Sequence, residues 1–265
     1  MANVSDLLSP ILLGIIEGIT EFLPISSTGH LLIAEHWLGH RSEVFNVVIQ
    51  AGAILAVVLI YRERLWQLAT GLRDARNRDY AMKLAVAFGI TAVLGLVATR
   101  LGFKLPDSLT PVAWALIIGG VWMIAAETLA ARQPERSEIT WRVAILVGLA
   151  QVVAGIFPGT SRSAATIFVA MLAGTGNRAA ATEFAFLVGI PTMFAASGYE
   201  LLKAQKAGGA HEDWSALTIA FVVSLITAFV AVKWLLGYIR THRFTAFAVY
   251  RIVLGIALLV ALPAG

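Results

Sequence analysis

Two acids and a cluster of hydroxyls stand inside an apolar run near the N-terminus, in GIIEGITEFLPISSTGH, Gly14 to His30. Glu17 and Glu21 are four residues apart, so on a helix they project from one face. Pro24 interrupts the run. Ser26, Ser27 and Thr28 follow, residue types that cap a helix start. Gly29 permits close backbone approach, and His30 falls in the first turn of the next element. A second break reads PGTSRSAAT, Pro158 to Thr166, and combines Thr160, Ser161, Ser163 and Thr166 with Arg162.

Each group suggests a chemistry. Arg162 presents a planar fork that suits a phosphate. Buried among apolar helices it would cost roughly 2.5–3.5 kcal/mol on insertion scales, so a partner is expected. Ser26–Ser27 and Thr160–Ser161 open short helical halves, whose free N–H groups and positive dipole ends favour an anion. Thr28, Ser163 and Thr166 add hydroxyls to that cradle. Glu17 and Glu21 alone would repel a phosphate. A divalent cation bridging them would reconcile the two, since Mg²⁺ takes one or two carboxylates plus phosphate oxygens. One of the two could instead serve as a general base. Ser27 is a candidate nucleophile with His30 as base or leaving-group acid, and the spacing equally allows His30 as nucleophile. The implied reaction is metal-assisted phosphoryl transfer to water.

The elements that must position these groups are membrane helices. Of 265 residues, 58% are hydrophobic and 14% charged, and mean hydropathy is +0.81. A soluble domain is nearer half apolar and a quarter charged. Continuous apolar runs point to helices rather than a barrel. There is no cysteine, which excludes disulfides and thiolate chemistry. The net charge of +4 reads as loop charge that sets topology. MANVSDLLSP lacks a basic n-region and a small-residue cleavage site, so it is not read as a cleaved signal.

The pattern predicts an all-α integral membrane protein with six spans, over 43–61, 81–101, 111–131, 183–202, 214–236 and 247–262. Two re-entrant hairpins, 6–38 and 141–173, have halves too short to cross, since a crossing takes about 20 residues. Residues 62–83 read as a charged loop, 104–111 as a polar turn and 132–138 as a charged linker. The chain repeats itself: Gly14 matches Gly148, Glu17 matches Gln151, Pro24 matches Pro158 and Ser27 matches Ser161, at a spacing of 134. Gly155 stands where the first repeat has Glu21, so the second half lacks the acid pair. A hairpin returns to its own side and three spans do not. The second repeat, 139–265, is therefore expected to be inverted relative to the first, 1–131, with the site where the breaks meet.

Basic residues in 62–83, 132–142 and 240–243 favour one orientation, with those loops cytoplasmic and both termini and the first hairpin outside. Glu43 and Glu183 read as acids at helix N-termini. Asn46, Gln50 and Glu127 read as interhelical hydrogen-bonding positions, and Trp37, Trp66 and Trp214 as interfacial belt residues.

Three motifs, ExxxE at Glu17–Glu21, PxSSxGH at Pro24–His30 and PGxSRSxxT at Pro158–Thr166, resemble the bacitracin-resistance family of undecaprenyl pyrophosphate phosphatases. The resemblance covers essentially the whole chain. It implies removal of the terminal phosphate from the C55 polyprenyl diphosphate, which recycles the lipid carrier of cell-wall synthesis. It implies a divalent cation, Mg²⁺ or Ca²⁺, held at Glu17 and Glu21. It implies use of Glu17, Glu21, Ser27, His30, Ser161, Arg162 and Thr166. The expected setting is the bacterial inner membrane, with the site open to the periplasmic side. The expected partners are the lipid substrate, membrane lipids and a second copy of the chain, with no nucleic acid. The other class that the pattern admits is a secondary transporter or flippase for polyprenyl phosphate lipids, because inverted repeats with broken helices are also transporter architecture.

Overall fold

In lipid every backbone polar group must find a partner within its own segment, and the helix is the element that achieves this locally. The computed structural model describes residues 4–102, 109–206 and 213–261. Every regular element among them is an α-helix: α1 (Val4–Thr20), α2 (Ser27–Leu38), α3 (Glu43–Ile60), α4 (Arg62–Thr70), α5 (Ala75–Arg100), α6 (Leu109–Ala130), α7 (Trp141–Ile156), α8 (Arg162–Ala173), α9 (Arg178–Lys206), α10 (Trp214–Tyr238) and α11 (Thr245–Ala261). Five of them, α3, α5, α6, α9 and α10, are long and apolar enough to cross a membrane. The sixth expected span, α11, is apolar but 17 residues long, at the lower end of the range for a crossing.

Two expected boundaries change. Residues 62–83 are not a loop. The N–H of Tyr61 closes α3 on Val57 O, and that of Leu65 opens α4 on Tyr61 O. The carboxylate of Asp74 then caps α5 by accepting from the N–H groups of Arg76 and Asn77. The charged side chains decorate two helices, and only Gly71–Asp74 turns. Glu183 is not at a helix start either. Helix α9 begins at Arg178, and the Glu183 carboxylate accepts from Arg64 Nε at 3.3 Å and from the Tyr80 hydroxyl at 3.4 Å. The expected turn over 104–111 falls mostly outside the described residues.

Asn46 donates to Glu35 between α3 and α2. Glu127 receives Arg178 Nε at 2.9 Å and the N–H of Phe244 at 3.1 Å. These are the interhelical bonds expected of Asn46 and Glu127. Trp37, Trp66 and Trp214 are exposed.

The packing repeats itself. Helices α1 and α3 pack on α10, and α7 and α9 pack on α5. Helices α3 and α9 meet each other, as do α6 and α11. Exchanging the first half for the second turns each of these pairs into another of them or back into itself. Atomic contacts follow the same rule. Thr91 on α5 donates to Gly148 O on α7, and Thr227 on α10 donates to Gly14 O on α1. Gly120 lies so close to α11 that a Cβ there would stand 2.7 Å from Ala248 O and 2.7 Å from Ile252 Cγ1. A Cβ on Gly255 would stand 2.7 Å from Ala113 O and 2.7 Å from Ile117 Cγ1. Small residues let the two helices touch backbone to backbone, as membrane helix packing favours.

The apolar core joins the first break to the second half. Phe22, Leu23 and Ile25 cluster with Ile167 and Phe168 of α8 and with α9. The Phe22 ring meets Phe186 edge-on at 5.1 Å.

Candidate active site

Both breaks end in the same strained residue. Among the described residues, Ser26 (φ 74°) and Ser161 (φ 67°) are the two non-glycines at positive φ. Such a conformation costs about 1–3 kcal/mol and persists where its surroundings impose it. Each serine caps the half-helix that follows. Ser26 Oγ accepts from the N–H of Gly29, and Ser161 Oγ from that of Ala164. The caps correct the sequence register. Two residues separate Pro158 from Ser161, and one separates Pro24 from Ser26. The structural partner of Ser161 is therefore Ser26, and the partner of Ser27 is Arg162.

These two first-turn residues share one carboxylate. The Ser27 hydroxyl donates to Glu21 Oε2 in a short hydrogen bond. Arg162 Nη2 lies 3.7 Å from Glu21 Oε1. Glu21 itself sits just past the end of α1, its N–H still bonded to Glu17 O. Glu21, Ser26, Ser27, Thr28, Gly159, Ser161 and Arg162 line a small cavity of about 40 Å³. Six backbone N–H groups at its two helix starts, on Ser26, Ser27, Thr28, Ser161, Arg162 and Ser163, have no partner among the described residues. Unsatisfied first-turn donors at two helix starts, with a guanidinium beside them, are groups whose chemistry suits an anion.

Four other expected site residues, Ser163, Thr166, His30 and Glu17, stand apart from the cavity wall. Ser163 bonds the Ser161 hydroxyl and donates to Leu23 O, which ties the two breaks together. Thr166 donates back to Arg162 O and Ser163 O within α8. His30 Nδ1 lies 2.7 Å from Ser26 O, and Nε2 lies 2.7 Å from the Tyr250 hydroxyl. A carbonyl only accepts, so Nδ1 carries a proton, and Nε2 shares a hydrogen bond with the Tyr250 hydroxyl. The expected Ser27–His30 pairing is replaced by Ser27–Glu21.

Glu17 is buried one turn before Glu21, and its Oε2 has no hydrogen-bond partner among the described residues. A buried carboxylate oxygen without a donor is costly, and a cation answers it. Glu17 and Glu21 therefore fit a divalent ion by donor chemistry. No cluster of three or more His, Asp or Glu side chains occurs among the described residues. Two carboxylates, with the remaining positions left to water and phosphate oxygens, is the usual Mg²⁺ pattern. Gln151, the counterpart of Glu17 in the second half, is also buried, and both its amide atoms lack a partner among the described residues.

Sequence reasoning missed Arg251. It is fully buried in α11 and, among the described residues, donates only to carbonyls: Pro24, Thr160, Gly159, Ala115 and Leu116. An arginine inside an apolar span was itself the available signal. Tyr250, beside it, carried no such signal.

A helical membrane protein whose paired helix breaks bring a carboxylate, a serine and an arginine to one cavity holds the groups that phosphate chemistry requires. Residues 10–257 match the family model described as bacitracin resistance protein BacA, and the chain belongs to that family. It is similar to proteins named undecaprenyl-diphosphatase from several bacteria. That of Rhizobium leguminosarum bv. trifolii is 74% identical over 256 residues, 96% of each chain. That of Rhizobium etli (strain CFN 42) is 72% identical over 255 residues, again 96% of each chain. That of Xanthomonas euvesicatoria pv. vesicatoria is 66% identical over 262 residues, 98% of this chain and 99% of the relative.

Proposed function

We propose that this protein hydrolyses undecaprenyl diphosphate to undecaprenyl phosphate and inorganic phosphate, and that Glu21, Ser27 and Arg162 are its reacting centre. The activity rests on the family and on relatives of that name at 66–74% identity over almost the whole chain. The assignment of the centre rests on one observation: the Ser27 hydroxyl donates to the Glu21 carboxylate at the mouth of two helix starts.

The terminal phosphate enters the cradle of N–H groups, with Arg162 paired to its oxygens. Glu21 takes the Ser27 proton as Oγ attacks the terminal phosphorus. The bond from that phosphorus to the bridging oxygen breaks, and undecaprenyl phosphate leaves with the proton that Glu21 passes to that oxygen, which returns Glu21 to its carboxylate form. Water then attacks the phosphoserine with Glu21 again accepting the proton. Inorganic phosphate leaves and Ser27 regains its hydrogen. Glu17 and Glu21 would hold a divalent cation, Mg²⁺ or Ca²⁺, which when bound neutralises charge on the phosphate oxygens. Tyr250 and Ser26 O hold the His30 ring beside the Ser26 cap. Transport of the lipid alone would need the anion cradle but not a hydroxyl delivered to a carboxylate.

The matched packing of the two halves supports the reading of two inverted repeats, 1–131 and 139–265, with α1–α2 and α7–α8 as re-entrant hairpins meeting near the midplane. The Lys and Arg residues of 62–83, 132–142 and 240–243 support a cytoplasmic side for those segments, in a bacterial inner membrane, with the site open to the periplasm. Phosphate release from undecaprenyl diphosphate by purified protein, with and without EDTA and beside Ser27→Ala, tests the proposal. Release that requires metal and is lost in Ser27→Ala is expected. No release by folded wild-type protein overturns the activity, and release by Ser27→Ala near the wild-type rate overturns the assigned nucleophile.

A further inference from the structure

A buried guanidinium normally pairs with an acid, because an unpaired buried charge is costly. Arg251 has no carboxylate partner among the described residues. Its donors go instead to both breaks and to α6. Nη1 reaches Pro24 O of the first break at 3.4 Å and Thr160 O of the second at 3.0 Å. Nη2 reaches Gly159 O at 2.8 Å and Ala115 O at 3.1 Å. Gly119 makes the room: a Cβ there would stand 2.2 Å from Nη2.

In a trans peptide the C=O and the N–H that follows it point in opposite directions. Arg251 holds the carbonyl of Thr160, so the N–H of Ser161 is turned away from Arg251. Ser161 lines the cavity, and its N–H has no partner among the described residues. The same guanidinium holds Pro24, two residues before the Ser26 cap. One side chain thus sets the separation of the two breaks and aims a donor of the second.

We infer that Arg251 is a positioning residue: by gripping the carbonyls of both breaks it presents the Ser161 N–H to the terminal phosphate opposite Ser27. The inference rests on the phosphatase reading above. The contacts that pair Gly120 with Gly255 and Ala113 with Ala248 place Leu116 opposite Arg251 in the first half, so one arginine serves both breaks.

The test compares full-length wild-type protein with Arg251→Lys, Arg251→Met and Gly119→Ala. All are purified in detergent with divalent cation, and phosphate release from a long-chain polyprenyl diphosphate is followed for kcat and KM. Folding is checked by size exclusion and circular dichroism. Gly119→Ala keeps the charge and displaces the fork, and Arg251→Lys keeps the charge and removes the fork. The expected result is folded protein whose kcat falls about 10²-fold, as for a misplaced catalytic contact, with KM little changed because the lipid tail still binds. Wild-type kcat in folded Arg251→Lys and Gly119→Ala overturns the inference. So does loss of fold in all three variants, which makes the role structural only. No release by the wild-type control removes the phosphatase reading, and the inference with it.

Discussion

Ser27 and Arg162 occupy the same place in two half-helices, each following a serine held at positive φ, and each reaches a different oxygen of Glu21. The two halves present equivalent positions to one cavity but fill them differently. One carries a hydroxyl that can attack, and the other a cation that can bind what is attacked. Glu21 has no acidic counterpart, since Gly155 stands in its place.

That shared carboxylate makes Glu21→Gln informative. The amide keeps the shape but neither removes the Ser27 proton nor balances Arg162. Phosphate release is expected to fall by about 10²–10⁴-fold, the usual contribution of a general base, with an unchanged elution profile. A variant turning over at the wild-type rate would assign proton removal elsewhere.

Glu17 can be separated from Glu21 by binding alone. Its unpartnered oxygen predicts that Glu17→Gln weakens Mg²⁺ or Ca²⁺ binding by at least about 10-fold, the loss that even an outer-sphere partner's removal causes. Calorimetry on substrate-free protein reads this without turnover. Equal affinity in wild type and variant would remove Glu17 from the cation site.

The contact between α6 and α11 predicts matched damage from the two halves. A Cβ on Gly120 or on Gly255 meets a backbone carbonyl at 2.7 Å, which no rotamer change relieves. Gly120→Ala and Gly255→Ala should each lower stability by about 1–3 kcal/mol, seen as similar drops in thermal midpoint in detergent. If one variant shifts and the other does not, the two contacts are not equivalent.

Asp74 supplies a pH test away from the membrane. Hydrogen bonds from the N–H groups of Asn77 and Arg76 hold its carboxyl below the ordinary aspartate value. A carboxyl depressed on folding stabilises above its unfolded value, and that contribution is lost as pH falls through the folded one. The midpoint of wild type should exceed that of Asp74→Asn at neutral pH, and the gap should close in acid. A gap independent of pH would mean that the cap works through shape alone.

Much of the architecture was legible because lipid leaves few choices. Apolar runs of span length must be helices, and Pro24 and Pro158, followed by hydroxyls, marked both breaks. Glu17, Glu21, Ser27 and Arg162 stood out because polar groups in such runs need a reason. The charged stretch 62–83 misled, since helices at an interface carry the same residues as loops. The match of Ser27 to Ser161 misled because the second break holds one extra residue before its cap, which only backbone geometry reveals.

Composition, apolar periodicity and the three motifs by themselves determined a helical membrane protein, the two helix breaks and the family, because those properties are local in the chain. Tertiary structure alone decided that the Ser27 hydroxyl meets Glu21 rather than His30, that Tyr250 holds His30, and that Arg251 grips both breaks. These partners lie as far as 227 residues apart. Their meeting depends on how two packed halves bring α11 and the two breaks to one place, which no local spacing encodes.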